Sequence, residues 1–179
     1  MNLANKITIA RILLIPLFMV ALLSRIPYGG EIAAFIFIVA ALTDSLDGYI
    51  ARKRKMVTNF GKFMDPLADK LLVSAALISL VEMGRISAWV VFIIIGRELT
   101  ISILRAVAAS EGLVIAASWW GKLKTVTQVT AIIIILLDNF PFELIGFPAD
   151  RIMLGIAVVV TIISGFDYLK INKDILDQK

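Results

Sequence analysis

Six long apolar runs, separated by short polar breaks, constrain the fold of this chain more than any other feature. They cover approximately residues 8–24, 31–51, 63–82, 86–109, 121–137 and 151–169. Each approaches or exceeds the roughly 20 residues that a helix needs to cross a hydrocarbon core. They are too long for barrel strands, and lipid accepts only helices or closed barrels. The pattern predicts an all-α, polytopic integral membrane protein with about six transmembrane helices.

The composition agrees with a membrane location. Of 179 residues, 60% are hydrophobic and 18% are charged, against about 45–50% and 25% in soluble domains. A soluble chain of this length has too little core to hide so much apolar surface. The length predicts one domain over 1–179, and the net charge of +4 indicates loop topology rather than nucleic-acid binding.

Cysteine and histidine are both absent from the sequence. Their absence excludes disulfides, thiolate nucleophiles, imidazole bases and ordinary zinc or copper sites. Any metal must therefore be held by oxygen ligands, which favour magnesium, calcium or manganese.

Basic residues are concentrated in alternate polar breaks, which indicates the orientation of the chain. One side of the predicted membrane contains only Arg25, Arg85 and Arg151. Because basic loops stay on the cytoplasmic side, we expect both termini and the 52–62 loop in the cytoplasm. The basic residues assigned to that side are Lys6, Arg11, Arg52, Lys53, Arg54, Lys55, Lys62, Lys122, Lys124, Lys170, Lys173 and Lys179.

Four aspartates flank the loop between the second and third runs. Asp44 and Asp47 are three residues apart and Asp65 and Asp69 are four apart, so each pair shares a helix face. The short loop predicts adjacent antiparallel helices whose acidic faces converge. At ~2.5–3.5 kcal/mol each, four buried aspartates would cost roughly 10–14 kcal/mol. Two divalent cations would neutralise them, and paired metals suit in-line displacement at phosphorus.

The same aspartates could instead be structural residues that pair with lysine or arginine on other helices. Four of them at this spacing, with the small residues Gly48 and Ala51 and the following Arg52, favour the metal site. Small residues let a backbone or a bulky ligand approach closely.

These residues belong to a longer pattern. It reads Asp44-x2-Asp47-Gly48-x2-Ala51-Arg52-x8-Gly61-x3-Asp65-x3-Asp69, spans 26 residues and fixes eight of them. The pattern resembles the complete signature of the CDP-alcohol phosphatidyltransferases, and no position departs from it. The resemblance implies six transmembrane helices, a homodimer, and transfer of a phosphatidyl group from CDP-diacylglycerol to an alcohol with release of CMP.

The resemblance also implies residue roles. Asp44, Asp47 and Asp65 resemble the family's metal ligands, for Mg²⁺ or alternatively Mn²⁺, with two ions per site. Asp69 resembles the catalytic proton acceptor, with a metal contact of its own. The nucleotide contacts implied in the same way are Gly48, Ala51, Arg52, Thr58 and Gly61.

Three outer segments suggest which alcohol is accepted. They cover residues 5–16, 96–105 and 116–125, and are similar to the bacterial members of the family that use glycerol 3-phosphate, the phosphatidylglycerophosphate synthases. Glycerol 3-phosphate is a dianion whose pocket needs cations beside the metal site. We expect Arg105 and Lys122 to contact its phosphate, with Arg97 and Lys124 behind them.

Each of these cations has a simpler explanation. Arg97 lies inside a predicted span, where an uncompensated charge is costly, and could pair with the neighbouring Glu98. Lys122 and Lys124 could be ordinary cytoplasmic flanks. Lys53, Arg54 and Lys55 are more typical of a face that meets anionic headgroups. Aromatic residues near span ends are expected to be interfacial anchors: Tyr28, Trp89, Trp119, Trp120 and Tyr168.

Two alternatives to a synthase remain open. A sister transferase would accept inositol phosphate, serine or phosphatidylglycerol, and a cation transporter would use the aspartates to bind its transported ion. The sequence has no inverted repeat typical of transporters, and no phosphate-binding loop or dinucleotide fingerprint.

Overall fold

The structure is a computed structural model that describes the backbone of residues 3–24, 26–54, 59–110, 112–113, 115 and 118–173. Side chains are described for residues 7–24, 26–43, 64, 67–110, 112–113, 115 and 118–173. Within these ranges every regular element is helical, which confirms the all-α prediction. The elements are α1 (Leu3–Leu23), α2 (Gly29–Arg54), α3 (Asn59–Glu82), α4 (Ala88–Ser110), α5 (Trp119–Leu136), a short 3₁₀ helix (Phe142–Ile145) and α6 (Ala149–Ile171).

The six α-helices follow the six apolar runs, but their ends differ from the predicted breaks. The expected 52–62 loop is too long, because α2 continues to Arg54 and α3 begins at Asn59. Backbone hydrogen bonding extends a helix past the end of its apolar stretch, so hydropathy alone underestimates helix length. The predicted break at 138–150 contains the 3₁₀ helix.

Among the described residues, α6 is the one helix that is long and apolar enough to cross a membrane by length and composition. Two shorter apolar helical stretches are described at Ile7–Leu23 and Gly29–Thr43, and α4 contains Arg97, Glu98 and Arg105. Intramembrane charges of this kind are expensive and face the protein interior when they occur. For the five other helices, membrane crossing stays a prediction.

The helices group into two compact units. The N-terminal unit contains residues 1–86 and 135–138, and the C-terminal unit contains residues 87–134 and 139–179. This grouping describes packing, and a single domain over 1–179 stays a prediction.

In the N-terminal unit, α1 packs against both α2 and α3, and α2 also contacts α3. Phe18 and Phe37 are fully buried between α1 and α2, with ring centroids 6.0 Å apart. The two helices approach closely at Gly29, where an added methyl group would lie 2.6 Å from the Ala21 carbonyl oxygen. Arg85 forms an ion pair with Asp138 and donates to the Ile135 carbonyl oxygen. This unit therefore holds both aspartate-bearing helices in one packed group.

In the C-terminal unit, α4 packs against α6. A hydrogen bond of 2.8 Å from the Gln128 amide to the Thr161 hydroxyl ties α5 to α6. The side chain of Asn139 holds the segment before α6 in place. Its amide nitrogen donates to the Phe147 carbonyl oxygen, and its amide oxygen accepts from the backbone N–H of Asp150. Polar side chains thus connect the helices of this unit.

The surface of this protein is more apolar than that of a soluble protein, and its interior contains several polar side chains among many apolar ones. Each of the six α-helices exposes large apolar side chains, among them Leu13, Phe35, Leu67, Phe92, Val126 and Phe166. The buried side chains include several polar ones: Thr8, Arg11, Ser79, Lys124, Thr127, Gln128, Thr161 and Ser164. Soluble monomers rarely expose apolar surface on this scale.

Candidate active site

The backbone brings the two aspartate-bearing segments into one packed group. Helix α2 is continuous through positions 44 and 47, and α3 is continuous through positions 65 and 69. Positions three or four apart lie on the same side of a helix, and the two helices contact each other. The packing agrees with the predicted antiparallel pair. The side chains of Asp44, Asp47 and Asp65 lie outside the described residues, so the convergence of the four carboxylates stays a prediction.

The donor chemistry fits a hard divalent cation. Of the four aspartates, Asp69 is the one whose side chain is described. It is half-buried and is preceded by the fully buried Ala68. Removing a carboxylate from water favours binding of a cation, and a site made only of carboxylates suits Mg²⁺ or Mn²⁺. Within the described side chains alone, no three potential ligands cluster, because three of the four predicted ligands fall outside that set.

The predicted nucleotide contacts lie on the same two helices. Gly48, Ala51 and Arg52 belong to the last two turns of α2, and Gly61 belongs to the first turn of α3. Thr58 lies outside the described residues. The backbone therefore places four of these five positions at the ends of the helices that carry the aspartates.

A buried polar pair on α1 was missed as a feature of the site. Thr8 and Arg11 are three residues apart, and their exposed fractions are 1% and 2%. Helix α1 contacts both α2 and α3, so a buried guanidinium lies in the same unit as the aspartates. Sequence analysis counted Arg11 as a cytoplasmic flank and included both residues in the 5–16 segment that is similar to the synthases, but gave neither a role in the site. The available signal was the spacing of three, which places both polar residues on one face of an apolar helix.

A charged network joins α4, α5 and α6 in the C-terminal unit. The Lys124 ammonium is buried and forms an ion pair with the Glu98 carboxylate. The Arg97 guanidinium lies 3.3 Å from the same carboxylate and donates to the Ser164 hydroxyl at 2.6 Å. The simpler explanation, that Arg97 pairs with the neighbouring Glu98, therefore describes one of its contacts correctly. Sequence analysis did not predict the ion pair between Glu98 and Lys124.

The other two predicted phosphate contacts are more accessible. Arg105 is exposed and donates to the Ile115 carbonyl oxygen at 3.0 Å. Lys122 is also exposed, at the start of α5. The structure thus separates two accessible cations from two that are engaged with Glu98. Their binding of a phosphate stays a prediction.

Tyr168 does not have the surface position expected of an interfacial anchor. Its exposed fraction is only 4%, and both Arg105 and Arg97 act on its hydroxyl electrostatically. The anchor prediction is wrong for this residue because its side chain is buried on α6, the helix that packs against α4. Trp89, Trp119 and Tyr28 are exposed, as expected.

The charges of this part of the C-terminal unit sum to a positive value. Arg97, Arg105 and Lys124 contribute three positive charges, against one negative charge from Glu98. Such a group of donors is suited to an anionic ligand, and arginine in particular can offer two parallel hydrogen bonds to a phosphate.

Comparison with known proteins decides the family. A family model described as CDP-alcohol phosphatidyltransferase matches residues 1–163. The chain belongs to this family. The resemblance seen in the aspartate signature is thereby confirmed, and membership places the chain among membrane-associated enzymes of phospholipid biosynthesis.

Individual phosphatidyltransferases resemble the chain over almost its whole length. It is 49% identical to the CDP-diacylglycerol–glycerol-3-phosphate 3-phosphatidyltransferase of Bacillus subtilis (strain 168), with 98% of this chain and 97% of that protein aligned. Identity is 41% to the protein of the same name from Haemophilus influenzae, over 96% and 94% of the two chains. A probable phosphatidylglycerophosphate synthase of Mycobacterium tuberculosis (strain H37Rv) is 40% identical, over 94% and 80%.

Proposed function

We propose that this phosphatidyltransferase transfers the phosphatidyl group of CDP-diacylglycerol to sn-glycerol 3-phosphate, forming phosphatidylglycerophosphate and CMP. The observation that carries the proposal is the 49% identity, over nearly the full length of both chains, to a protein named for this reaction. The packing of α2 against α3 and the cationic network of the C-terminal unit support it.

The aspartates provide the metal-binding part of the proposal. Asp44, Asp47, Asp65 and Asp69 would hold two divalent ions, Mg²⁺ or alternatively Mn²⁺. When bound, such ions neutralise charge on the pyrophosphate and on the CMP leaving group. The half-buried position of Asp69 supports this role, since a carboxylate withdrawn from water gains from a nearby cation.

Asp69 is also the proposed proton acceptor. It takes the proton of the attacking hydroxyl of glycerol 3-phosphate while the hydroxyl oxygen bonds to the lipid-bearing phosphorus. The bond between that phosphorus and the bridging oxygen breaks, and CMP leaves with the electron pair. General-base assistance of this kind contributes typically 10²–10⁴-fold to a rate.

Two further groups of residues bind the substrates. Gly48, Ala51 and Gly61 leave room for the cytidine nucleotide, which Thr58 and Arg52 contact; the planar guanidinium of Arg52 suits a phosphate. The phosphate of glycerol 3-phosphate is assigned to Arg105 and Lys122, with Arg97 and Lys124 behind them. The exposure of the first pair and the Glu98 contacts of the second support this division.

The proposal includes a multi-pass location in the plasma membrane. Large apolar side chains are exposed on every one of the six α-helices, as expected if all of them face lipid. The distribution of lysine and arginine favours both termini and the segment between α2 and α3 on the cytoplasmic side. A homodimer is the assembly that the family resemblance implies.

The experiment that tests the function is CMP release by purified protein in mixed micelles with CDP-diacylglycerol and Mg²⁺. Glycerol 3-phosphate is compared with inositol phosphate, serine and phosphatidylglycerol. We expect release with glycerol 3-phosphate, loss of at least roughly 100-fold in Asp69→Asn, and normal release in Asp150→Asn, the matched control.

Each other outcome has a defined meaning. Release with a different alcohol retains the chemistry and replaces the acceptor. Full activity of Asp69→Asn rejects Asp69 as the proton acceptor. If folded protein releases no CMP with any alcohol, the transferase proposal fails and a cation transporter, which needs no nucleotide, becomes the better explanation.

A further inference from the structure

The hydroxyl of Tyr168 is a buried donor whose own proton has no acceptor among the described residues. The residue is 4% exposed, and its hydroxyl makes no hydrogen bond of normal geometry there, although the Arg105 guanidinium, which can only donate, is close to it. The buried Nε atom of Arg97 also has no hydrogen-bond partner among the described residues. Leaving a buried polar group unsatisfied is costly, and native structures usually have a reason for such a group.

The neighbours of Tyr168 are cations. Arg105 approaches its hydroxyl, and Arg97 also acts on it electrostatically. Ser164, four residues earlier on α6, lies on the same helix face and accepts a hydrogen bond of 2.6 Å from Arg97. The acceptors of this region are already in use, because Glu98 is held by Lys124 and by Arg97.

This combination of groups selects for one kind of ligand. A guanidinium has donors and no acceptor, and a phenol hydroxyl beside two guanidiniums is free to donate its proton. A ligand that satisfies all of these donors must bring several acceptor oxygens and negative charge. An oxyanion such as a phosphate monoester meets both requirements, whereas a neutral alcohol meets neither.

We propose that the Tyr168 hydroxyl binds the phosphate of the acceptor alcohol, donating to a phosphate oxygen beside the guanidinium of Arg105. This inference rests on the proposed function and deepens it, because it names a specificity-determining residue of the acceptor site. Tyr168 increases the affinity for an acceptor that carries a phosphate group, and it contributes nothing to recognition of CDP-diacylglycerol.

The kinetic test compares Tyr168→Phe with the wild type. This substitution removes the hydroxyl and keeps the ring, and the exposed Tyr28 provides a matched control in Tyr28→Phe. We expect the KM for glycerol 3-phosphate to rise about 10-fold in Tyr168→Phe, the effect typical of one lost hydrogen bond to a charged group. The kcat and the KM for CDP-diacylglycerol should stay unchanged. The Tm without ligand should not fall, because the hydroxyl that is removed is buried and unsatisfied. Tyr28→Phe should match the wild type throughout.

A binding measurement without turnover separates this inference from the proposed function. The Tm is followed while inorganic phosphate, glycerol 3-phosphate or glycerol is added without nucleotide. A ligand that binds the folded state raises the Tm, so we expect both phosphate compounds to act and glycerol to have no effect. Tyr168→Phe should need about 10-fold more ligand for the same rise.

The two proposals fail in different ways. An unchanged KM for glycerol 3-phosphate and an unchanged phosphate-induced rise in Tm in Tyr168→Phe would overturn the role of Tyr168, while wild-type CMP release would stand. Phosphate binding that depends on Tyr168, in a protein that releases no CMP, would retain the oxyanion site and reject the transferase.

Discussion

Gly165 leaves room for the aliphatic part of Arg97. A methyl group added at position 165 would lie 3.3 Å from Cγ of Arg97, closer than an ordinary van der Waals contact. We expect Gly165→Ala to displace Arg97 and to raise the KM for glycerol 3-phosphate roughly threefold to tenfold, because small misplacements of a positioning group are costly. Steady-state kinetics in mixed micelles measures this change.

Gly155 provides the control for this substitution. It lies on the same helix, and no atom is within 4 Å of where its methyl group would be. Both variants gain the higher helix propensity of alanine, worth about 1 kcal/mol. Equal KM values in Gly165→Ala and Gly155→Ala would show that Arg97 does not need its present position.

At the residue scale, the sequence reveals charged residues more readily than their partners. The four aspartates are visible because their spacing is regular and because burial in the predicted spans would demand compensation. Tyr168 and the Glu98–Lys124 ion pair could not be identified in this way. Their roles depend on which residues of α4, α5 and α6 meet, and helical periodicity within one segment does not determine which helix lies opposite.

Glu98 connects two helices of the C-terminal unit, since it is on α4 and its ion-pair partner Lys124 is on α5. We expect Glu98→Gln to lower the free energy of unfolding by about 3 kcal/mol, because it removes the carboxylate that forms an ion pair with the buried Lys124 ammonium. Denaturation in detergent micelles measures the change. The exposed Glu143 supplies the control, Glu143→Gln, for which no loss is expected.

A second substitution tests the physical reason for this loss. Adding Lys124→Met to Glu98→Gln removes the buried ammonium that has lost its ion pair with Glu98 and keeps an apolar stem, so the double variant should be more stable than the single one. If both variants are equally unstable, the loss arises from packing around position 98 rather than from the charge on Lys124.

At the element scale, hydropathy predicted the number and order of the helices but not their ends. The six apolar runs became six α-helices because each run has enough residues to pack along its length. The additional turns of α2 and α3 in the expected 52–62 loop are polar, and so carry no hydropathy signal. The 3₁₀ helix was equally invisible, since its position depends on hydrogen bonds within the segment that joins α5 to α6.

The proposed topology of the whole molecule can be tested with single cysteines, because the chain has none of its own. In the sequence, Lys55 follows α2 and Glu143 follows α5, so three predicted crossings (α3, α4 and α5) separate them and place them on opposite sides of the membrane. We expect a membrane-impermeant maleimide added outside intact cells to label Glu143→Cys and not Lys55→Cys. The cysteine-free parent reports background labelling, and external labelling of Lys55→Cys would reject the proposed orientation.

At the scale of the whole molecule, composition was the most informative property of the sequence. An all-α membrane protein follows from the length of the apolar runs, and the family follows from eight residues in a short segment. The acceptor site was harder to predict. Its residues come from distant parts of the chain, and no spacing pattern in the sequence marks them as phosphate ligands.

The apolar outer surface has a consequence for how this protein tolerates mutation. In the proposed membrane location, exchanges among leucine, isoleucine, valine and phenylalanine on the outer faces alter little, since one hydrocarbon side chain meets lipid much as another does. A buried hydroxyl or amide, such as that of Ser164 or Gln128, has no equivalent substitute. The outer surface can therefore change composition gradually, while the interior preserves the hydrogen bonds by which the helices recognise one another.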